Sequence, residues 1–124
     1  LERLKNEETR AKASIEILKE KVDKEGISLK INSEKQAPHM KETRVSGKSY
    51  FTISSDELQE IIYNNYAKGD VRVYPNGQIK ETIILPDEIG YNVSNIDGEE
   101  TETNAITIHY SKKRTHAVPT RKKK

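Results

Sequence analysis

The sequence predicts an α+β domain in which helices come first and a mostly antiparallel β-sheet follows. Two observations carry this prediction: helical periodicity in residues 1–26 and again after Ser54, and then short alternating segments separated by Gly, Pro and Asn turns. The length of 124 residues suits one domain. Only 32% of the residues are hydrophobic and 34% are charged, so we expect part of the chain to lie outside the core or under a partner.

Residues 1–26 are predicted to form one long, charged helix. Its apolar positions recur at spacings of three, four and seven, which makes a narrow stripe: Leu4, Ala11, Ile15, Leu18 and Val22. Gly26 is the expected C-terminal cap. Two interpretations stay open, a connector to an upstream domain and a helix that packs on its own domain. Because the chain begins at Leu1 rather than methionine, we expect it to be a fragment of a longer protein.

The domain proper is predicted over residues 27–120, with 121–124 as a basic tail. Residues 27–31 alternate like a short strand, and 32–48 read as an irregular loop. Ser54 and Glu57 form a capping box for a helix that we expect to end at Gly69. Strands are predicted at 71–74, 79–85, 90–93, 105–111 and 115–119, with turns at 75–77 and 95–98.

The charge is distributed unevenly although the net charge is only +2. Residues 112–124 contain basic side chains and no acidic one, whereas 87–102 are acidic. A local basic patch suits a polyanion such as RNA, although residues 121–124 fit a solvated tail better. Without cysteine the chain has neither disulfides nor thiolate zinc sites, and no apolar run is long enough to span a membrane.

The predicted strand at 106–111 combines an apolar face with a polar one. Ile106, Ile108 and Tyr110 point one way, toward a core. Thr107, His109 and Ser111 point the other way, and alone they would fit an ordinary surface strand. The chain also contains two more histidines, His39 and His116, with lysines and an arginine close to them in sequence.

These residue types fit the cleavage of RNA by its own 2′-hydroxyl. The reaction needs a base, an acid, and cations that hold the charge of the phosphorane. It requires no metal because the nucleophile belongs to the substrate, and histidine titrates near neutral pH. The sequence shows no phosphate-binding glycine loop and no serine elbow. A metal site made of the three histidines is less favoured because they lie on different elements.

Several segments resemble the polymorphic toxin type 50 domain, in the same order along the chain. They are Lys35-Gln36-Ala37-Pro38-His39, Gly47-Lys48-Ser49-Tyr50, Gly90-Tyr91-Asn92-Val93, Gly98-Glu99, Ile108-His109-Tyr110-Ser111-Lys112 and Thr115-His116-Ala117-Val118-Pro119. The resemblance covers roughly residues 27–120 and omits the first helix. The last two segments are the most specific.

The resemblance implies a metal-independent ribonuclease toxin at the C-terminus of a larger carrier, a secreted toxin or a phage head-morphogenesis protein. It implies a fold similar to the barnase–EndoU–colicin–RelE group, with a helix or two packed on a curved antiparallel sheet. Such a domain would act in the bacterial cytoplasm, in competition between bacteria. Its partners would be RNA, the upstream carrier domain and a cognate immunity protein, which we expect to be acidic, and no cofactor is expected.

Within this scheme His39 and His109 are the expected acid–base pair, with the direction of proton transfer left open. Lys35 and Lys112 are expected to hold the phosphorane charge. The expected substrate-binding residues are Gln36, Lys48, Tyr110, Ser111, Arg114 and His116, although Tyr110 shares the core face of its strand. No metal ligand is assigned.

Two other functions remain open. A phage head or secretion carrier can end in a structural or binding module of the same fold without activity. A non-catalytic RNA-binding domain is less favoured, because Tyr50, Phe51 and Tyr74 form no evident stacking platform in the sequence.

Overall fold

A computed structural model describes residues 2–121, with side chains from residue 12 onward. Within this range the chain is α+β: one short strand lies between the helices, and six antiparallel strands follow the last helix. The helices are α1 (Glu2–Lys24), α2 (Ser33–Gln36), a 3₁₀ helix (Ala37–His39) and α3 (Ser55–Asn65). The strands are β1 (Tyr50–Phe51), β2 (Asp70–Val73), β3 (Ile79–Ile84), β4 (Gly90–Val93), β5 (Glu100–Thr103), β6 (Ala105–Tyr110) and β7 (His116–Thr120). None of the described helices is long and apolar enough to cross a membrane.

The described strands form two antiparallel sheets. The larger has the order β2-β3-β6-β7, and the smaller has the order β1-β4-β5. The five predicted strands between residues 71 and 119 correspond to β2, β3, β4, β6 and β7. Strand β5 was not predicted, because Glu100 to Thr103 are polar and give no hydrophobic alternation.

The predicted strand at 27–31 is wrong. This segment makes a single bridge, between Ser28 and Ser111. Two of its other backbone groups are bound by one side chain: the Gln59 amide accepts from the Ile31 N–H at 2.8 Å and donates to the Leu29 carbonyl at 2.8 Å. A glutamine on α3 thus replaces the partner strand that a ladder would need.

Residues 32–48 are more ordered than the predicted irregular loop. Asn32 caps α2 by accepting from the Lys35 N–H at 3.0 Å, and the 3₁₀ helix follows with Pro38 in its first turn. Two short helices of this size bury too few apolar residues to leave a periodic pattern in the sequence. They carry His39 to the sheet.

Helix α3 begins as predicted and ends earlier than predicted. Ser54 accepts from the Glu57 N–H at 3.1 Å, which confirms the N-terminal cap. The helix ends at Asn65 because Ala67 adopts a left-handed φ of 66°, where the Glu81 carboxylate binds its N–H at 2.8 Å. Gly69 lies so close to β3 that a Cβ there would be 2.4 Å from the Thr82 carbonyl oxygen. Gly69 is therefore required by packing, and it does not end the helix.

The core lies between the helices and the larger sheet. Fully buried core side chains come from α1, β1, α3, β3, β6 and β7, and they include Leu18, Phe51, Leu58, Ile62, Ile79, Ile106, Ile108 and Ala117. On α1, Ile15 and Val22 pack against this core, and Gly26 follows the helix with φ 79°. Ile15, Leu18 and Val22 of α1 thus pack on their own domain, and a link to an upstream domain stays a prediction.

Candidate functional site: a histidine-lined cleft

A cleft of about 510 Å³ lies on the face of the larger sheet that points away from the core. Strand β6 alternates as the sequence predicts, with Ile106, Ile108 and Tyr110 buried and Thr107 and His109 half-buried on the other face. We call this site the histidine cleft. Its lining includes His39, His109, His116, Lys35, Lys48, Lys80, Arg114 and Glu34.

Strand register brings the sheet residues of the cleft into one row. Lys80 on β3 pairs with His109 on β6, and His109 pairs with His116 on β7. Paired residues of neighbouring antiparallel strands share a face, so these three side chains stand side by side. The row is perpendicular to the strands and forms the floor of the cleft.

The three histidine rings are nearly parallel, with His116 in the middle. The ring centres of His109 and His116 are 4.9 Å apart with an angle of 8° between their planes. Those of His39 and His116 are 6.3 Å apart with an angle of 12°. His39 reaches the row from the 3₁₀ helix, so residues 39, 109 and 116 meet although 77 positions separate the first from the last.

Backbone carbonyls hold two of these rings in defined tautomers. The Nδ1 of His39 lies 2.9 Å from the Ser49 carbonyl oxygen, and the Nδ1 of His116 lies 2.8 Å from that of Arg114. A carbonyl only accepts, so each Nδ1 carries a proton and donates it. In the neutral form of each ring, Nε2 is then the nitrogen with the free lone pair.

Burial and mutual repulsion keep two of the rings neutral. The pKa of His109 is lowered from 6.5 to about 4, first by burial and then by the positive charges of His116 and Lys80. Burial also lowers the pKa of His39, and positive charge on His116 and Lys48 lowers it further, although the bond to Ser49 acts in the opposite direction. A proton on His116 therefore disfavours a proton on either neighbour.

The remaining lining of the cleft is strongly cationic. Lys35, Lys48, Lys80 and Arg114 line it, and Glu34 is the one carboxylate among its described lining residues. Such an excess of positive charge suits a phosphodiester. Among the described residues, no group of three or more histidine, aspartate and glutamate side chains is arranged to hold a metal ion. The histidine rings stack and do not converge on a common point.

The sequence profile of the bacterial toxin 50 family matches residues 31–119. The chain belongs to this family. The matched region contains all three histidines and every strand except the last residue of β7, and it begins after α1. Neither the curated proteins nor the solved structures gave a match to the chain.

In this toxin domain the cleft collects most of the residues expected from the sequence. His39, His109, His116, Lys35, Lys48, Tyr110, Ser111 and Arg114 all line it. Lys112 is exposed and does not belong to the lining. Lys80 on β3 was not among the expected residues, because a polar residue at an outward strand position looks ordinary until the strand order is known.

Gln36 and Tyr110 use their polar atoms inside the toxin domain. Gln36 is 2% exposed, and its amide donates to the Ala117 carbonyl at 2.9 Å and accepts from the Ala117 N–H at 2.7 Å. Gln36 does not line the cleft; it ties α2 to β7 and so positions Lys35 and His39. The Tyr110 hydroxyl donates to buried Glu81 at 2.6 Å, on the core side of the sheet. Burial first, and then the negative charge and hydrogen bond of Glu81, raise the pKa of Tyr110.

Ser111 holds the turn between β6 and β7. Its hydroxyl oxygen accepts from the backbone N–H groups of Lys113 and Arg114 at 3.4 and 3.3 Å. The hydroxyl of the next buried residue, Thr115, donates to the Ser28 carbonyl at 2.6 Å. These bonds order the turn that presents Arg114 and His116 to the cleft.

Proposed function

We propose that the histidine cleft cleaves RNA by attack of a 2′-hydroxyl on the adjacent phosphodiester. The observation that carries the proposal is the row of three parallel imidazoles, with ring centres 4.9 and 6.3 Å apart, beside four cationic side chains. Membership of the toxin family supports a toxic activity. In the reaction the 2′-oxygen bonds to phosphorus, the bond to the 5′-oxygen breaks, and a 2′,3′-cyclic phosphate and a 5′-hydroxyl are formed.

His39 is the proposed base. Its lowered pKa keeps the ring neutral at neutral pH, and its bond to Ser49 leaves the lone pair on Nε2. That nitrogen takes the proton of the 2′-hydroxyl. The carbonyl of Ser49 holds the ring in place during the transfer, so no reorientation is needed.

His116 is the proposed acid, because it lies next to His39 and an acid must carry a proton when substrate binds. A pKa of about 4 leaves little protonated His109 at neutral pH. The sequence-based hypothesis paired His39 with His109 and gave His116 a phosphate-binding role. We propose instead that the two transfers use the adjacent rings of His39 and His116, and His109, whose ring centre is 4.9 Å from that of His116, is the alternative base.

The cations of the cleft are proposed to stabilise the phosphorane. Lys35 lies on α2, and Lys80 lies on β3 beside His109. The two lysines therefore approach the phosphate from different elements. Lys48 and Arg114 also line the cleft and are proposed to bind substrate. Lys112 lies outside the lining of the cleft. We propose that it binds the phosphate of a neighbouring nucleotide of the RNA.

Cleavage of RNA by the purified chain in the presence of a chelator tests this function. His39→Gln and His116→Gln are each expected to reduce cleavage at least 100-fold, since each removes one proton transfer. Lys113→Ala, which removes an exposed lysine beside the same turn, is the control and is expected to cut like the parent. Cutting that is equal in all variants, or that the chelator abolishes, contradicts the proposal.

The resemblance to the barnase–EndoU–colicin–RelE group is part of the same proposal. It is supported by α3 packing its buried Leu58 and Ile62 into the core beneath a four-stranded antiparallel sheet whose outer face carries the cleft. A toxin family implies an immunity partner, and we propose an acidic protein that covers the histidine cleft. Such a protein should inhibit cleavage, and the inhibition should weaken as salt is raised.

A further inference from the structure

Tyr74 lies directly after β2 and beside the histidine cleft. Exposure alternates along this segment, with Val71 buried and Arg72 exposed, so Tyr74 falls on the same face as Arg72. Arg72 is the register partner of Lys80. Tyr74 therefore lies on the face of the sheet that carries the histidine row.

Lys80 connects the tyrosine ring to the cleft. Its Nζ is 5.2 Å from the centre of the Tyr74 ring, and the same residue lines the cleft and pairs with His109. The ring thus stands one side chain away from the row of imidazoles. It is 39% exposed, so part of its surface is open to a ligand.

The turn after Tyr74 fixes its backbone. The Tyr74 N–H donates to the Gln78 carbonyl at 2.8 Å, and the Gly77 N–H donates to the Tyr74 carbonyl at 2.9 Å. Gly77 takes the left-handed φ of 87° that this turn requires. A ring on a fixed backbone loses little conformational freedom when a flat ligand stacks on it.

We propose that Tyr74 is a stacking site for the base of a nucleotide next to the scissile phosphate, which Lys80 binds beside the ring. This inference rests on the proposed function and deepens it, because it makes single-stranded RNA the substrate class. A base within a duplex keeps both faces covered by its neighbours, whereas a single strand offers a free face to the ring. Arg72 extends the positive charge along the same face, although Asp70 pairs with it at 3.2 Å.

The site is tested by binding of single-stranded 2′-O-methyl oligoribonucleotides, which cannot be cleaved because their 2′-oxygens carry no proton. Tyr74→Ala is expected to raise Kd about 10-fold, and Tyr74→Phe is expected to keep Kd within about twofold of the parent. Tyr63→Ala is the control, since Tyr63 on α3 is 53% exposed and does not line the cleft. Thermal unfolding of each variant verifies that the fold is retained.

Oligonucleotides with one base removed locate the stacked nucleotide. At one position, removal of the base should weaken binding to the parent about 10-fold and leave binding to Tyr74→Ala unchanged, because the same contact is already lost. A blunt duplex should bind parent and Tyr74→Ala equally. If Tyr74→Ala and the parent bind single strands with equal Kd, the inference is wrong. It is also wrong if removal of the base weakens binding to the parent equally at every position of the oligonucleotide.

The two proposals fail in different ways. If the parent protein binds the single strands with the expected Tyr74 contrast but does not cut RNA, the stacking site stands and the catalytic proposal fails. If it cuts RNA and Tyr74→Ala changes neither Kd nor KM, the catalytic proposal stands and the stacking site is wrong.

Discussion

At the scale of residues, the behaviour of the cleft depends on which of three neighbouring imidazoles carries a proton. His109 is held neutral by burial, and His39 is held neutral by burial and by the positive charges around it. A bound phosphate brings negative charge and favours protonation again. In the proposed reaction, the neutral ring of His39 is available as the base before the phosphate binds.

The depressed pKa of His109 predicts a loss of stability in acid. A group with a pKa of about 4 when folded and 6.5 when unfolded binds fewer protons in the folded state between these values. Its contribution is therefore complete above pH 6.5 and is lost as the pH falls toward 4. We expect about 1–2 kcal/mol after allowance for partial exposure.

Urea unfolding at pH 7 and pH 4 checks this prediction. In His109→Asn, which cannot titrate, the fall in the free energy of unfolding between the two pH values should be smaller by that amount. An equal fall in the parent and the variant would show that His109 is not desolvated.

The position of the acidic limb in the pH dependence of kcat/KM identifies the base. Lys48 lowers the pKa of His39, whereas Lys80 lowers the pKa of His109. If His39 is the base, Lys48→Gln moves the acidic limb to higher pH, and Lys80→Gln lowers the rate without moving it. If Lys80→Gln moves the acidic limb and Lys48→Gln does not, His109 is the base. If neither variant moves the limb, neither His39 nor His109 is the base.

Sequence reasoning found the histidines but not their arrangement. Alternation in residues 106–111 was enough to place His109 on the outer face of its strand. Nothing local to residue 39 shows that a 3₁₀ helix carries it to β7, because that depends on Gln36 binding Ala117, 81 positions away. Lys80 was missed for a related reason, since its pairing with His109 follows from strand order.

At the scale of elements, buried Glu81 joins three parts of the fold. Its carboxylate accepts from the N–H groups of Ala67 and Gly69 at 2.8 and 2.6 Å, and from the Tyr110 hydroxyl at 2.6 Å. It thereby closes the connection between α3 and β2 onto the sheet. Three donors satisfy a charge that the interior would otherwise disfavour.

Glu81→Gln should lower the free energy of unfolding by about 2–4 kcal/mol. An amide offers one accepting oxygen, so its NH₂ group must face a donor and leave at least one buried N–H or O–H unsatisfied. Glu60→Gln, on the exposed surface of α3, is the matched control and should change stability by less than about 0.5 kcal/mol. Equal stability of the two variants in urea unfolding would contradict this role of Glu81.

Elements with strong local signals were predictable, and elements held by side chains were not. The Ser54 cap and the strand at 90–93 were predicted correctly because a capping box and a bounded alternating run are local signals. The segment at 27–31 has a strand-like pattern, but Gln59 takes up its backbone groups. Glu81 was a visible anomaly, a charge on the apolar side of β3 between Ile79 and Ile83, and such a position indicates a buried polar contact.

At the scale of the whole molecule, the two sheets differ in charge. The larger sheet carries the histidine cleft with its four cationic side chains, whereas the hairpin of β4 and β5 carries Asp97, Glu99, Glu100 and Glu102. This separation, and not the net charge of +2, favours approach of a polyanion toward the cleft.

The affinity for single-stranded RNA should therefore fall steeply with salt. If four phosphates are bound by the four cations, the slope of log K against log salt is about −3. Lys80→Gln should make the slope shallower by about 0.7, while Lys113→Gln should leave it unchanged. A slope near zero in a salt titration of Kd would mean that the cleft does not bind the backbone.

The most direct test of the central claim is cleavage of an RNA in which the nucleotide before the cut carries a 2′-hydrogen in place of its hydroxyl. With the nucleophile removed, we expect no cutting at that bond, and in the unmodified RNA we expect a 2′,3′-cyclic phosphate at the new 3′ end. Cutting at the deoxy position, or a 5′-phosphate at the new 5′ end of the unmodified RNA, would contradict cleavage by the 2′-hydroxyl.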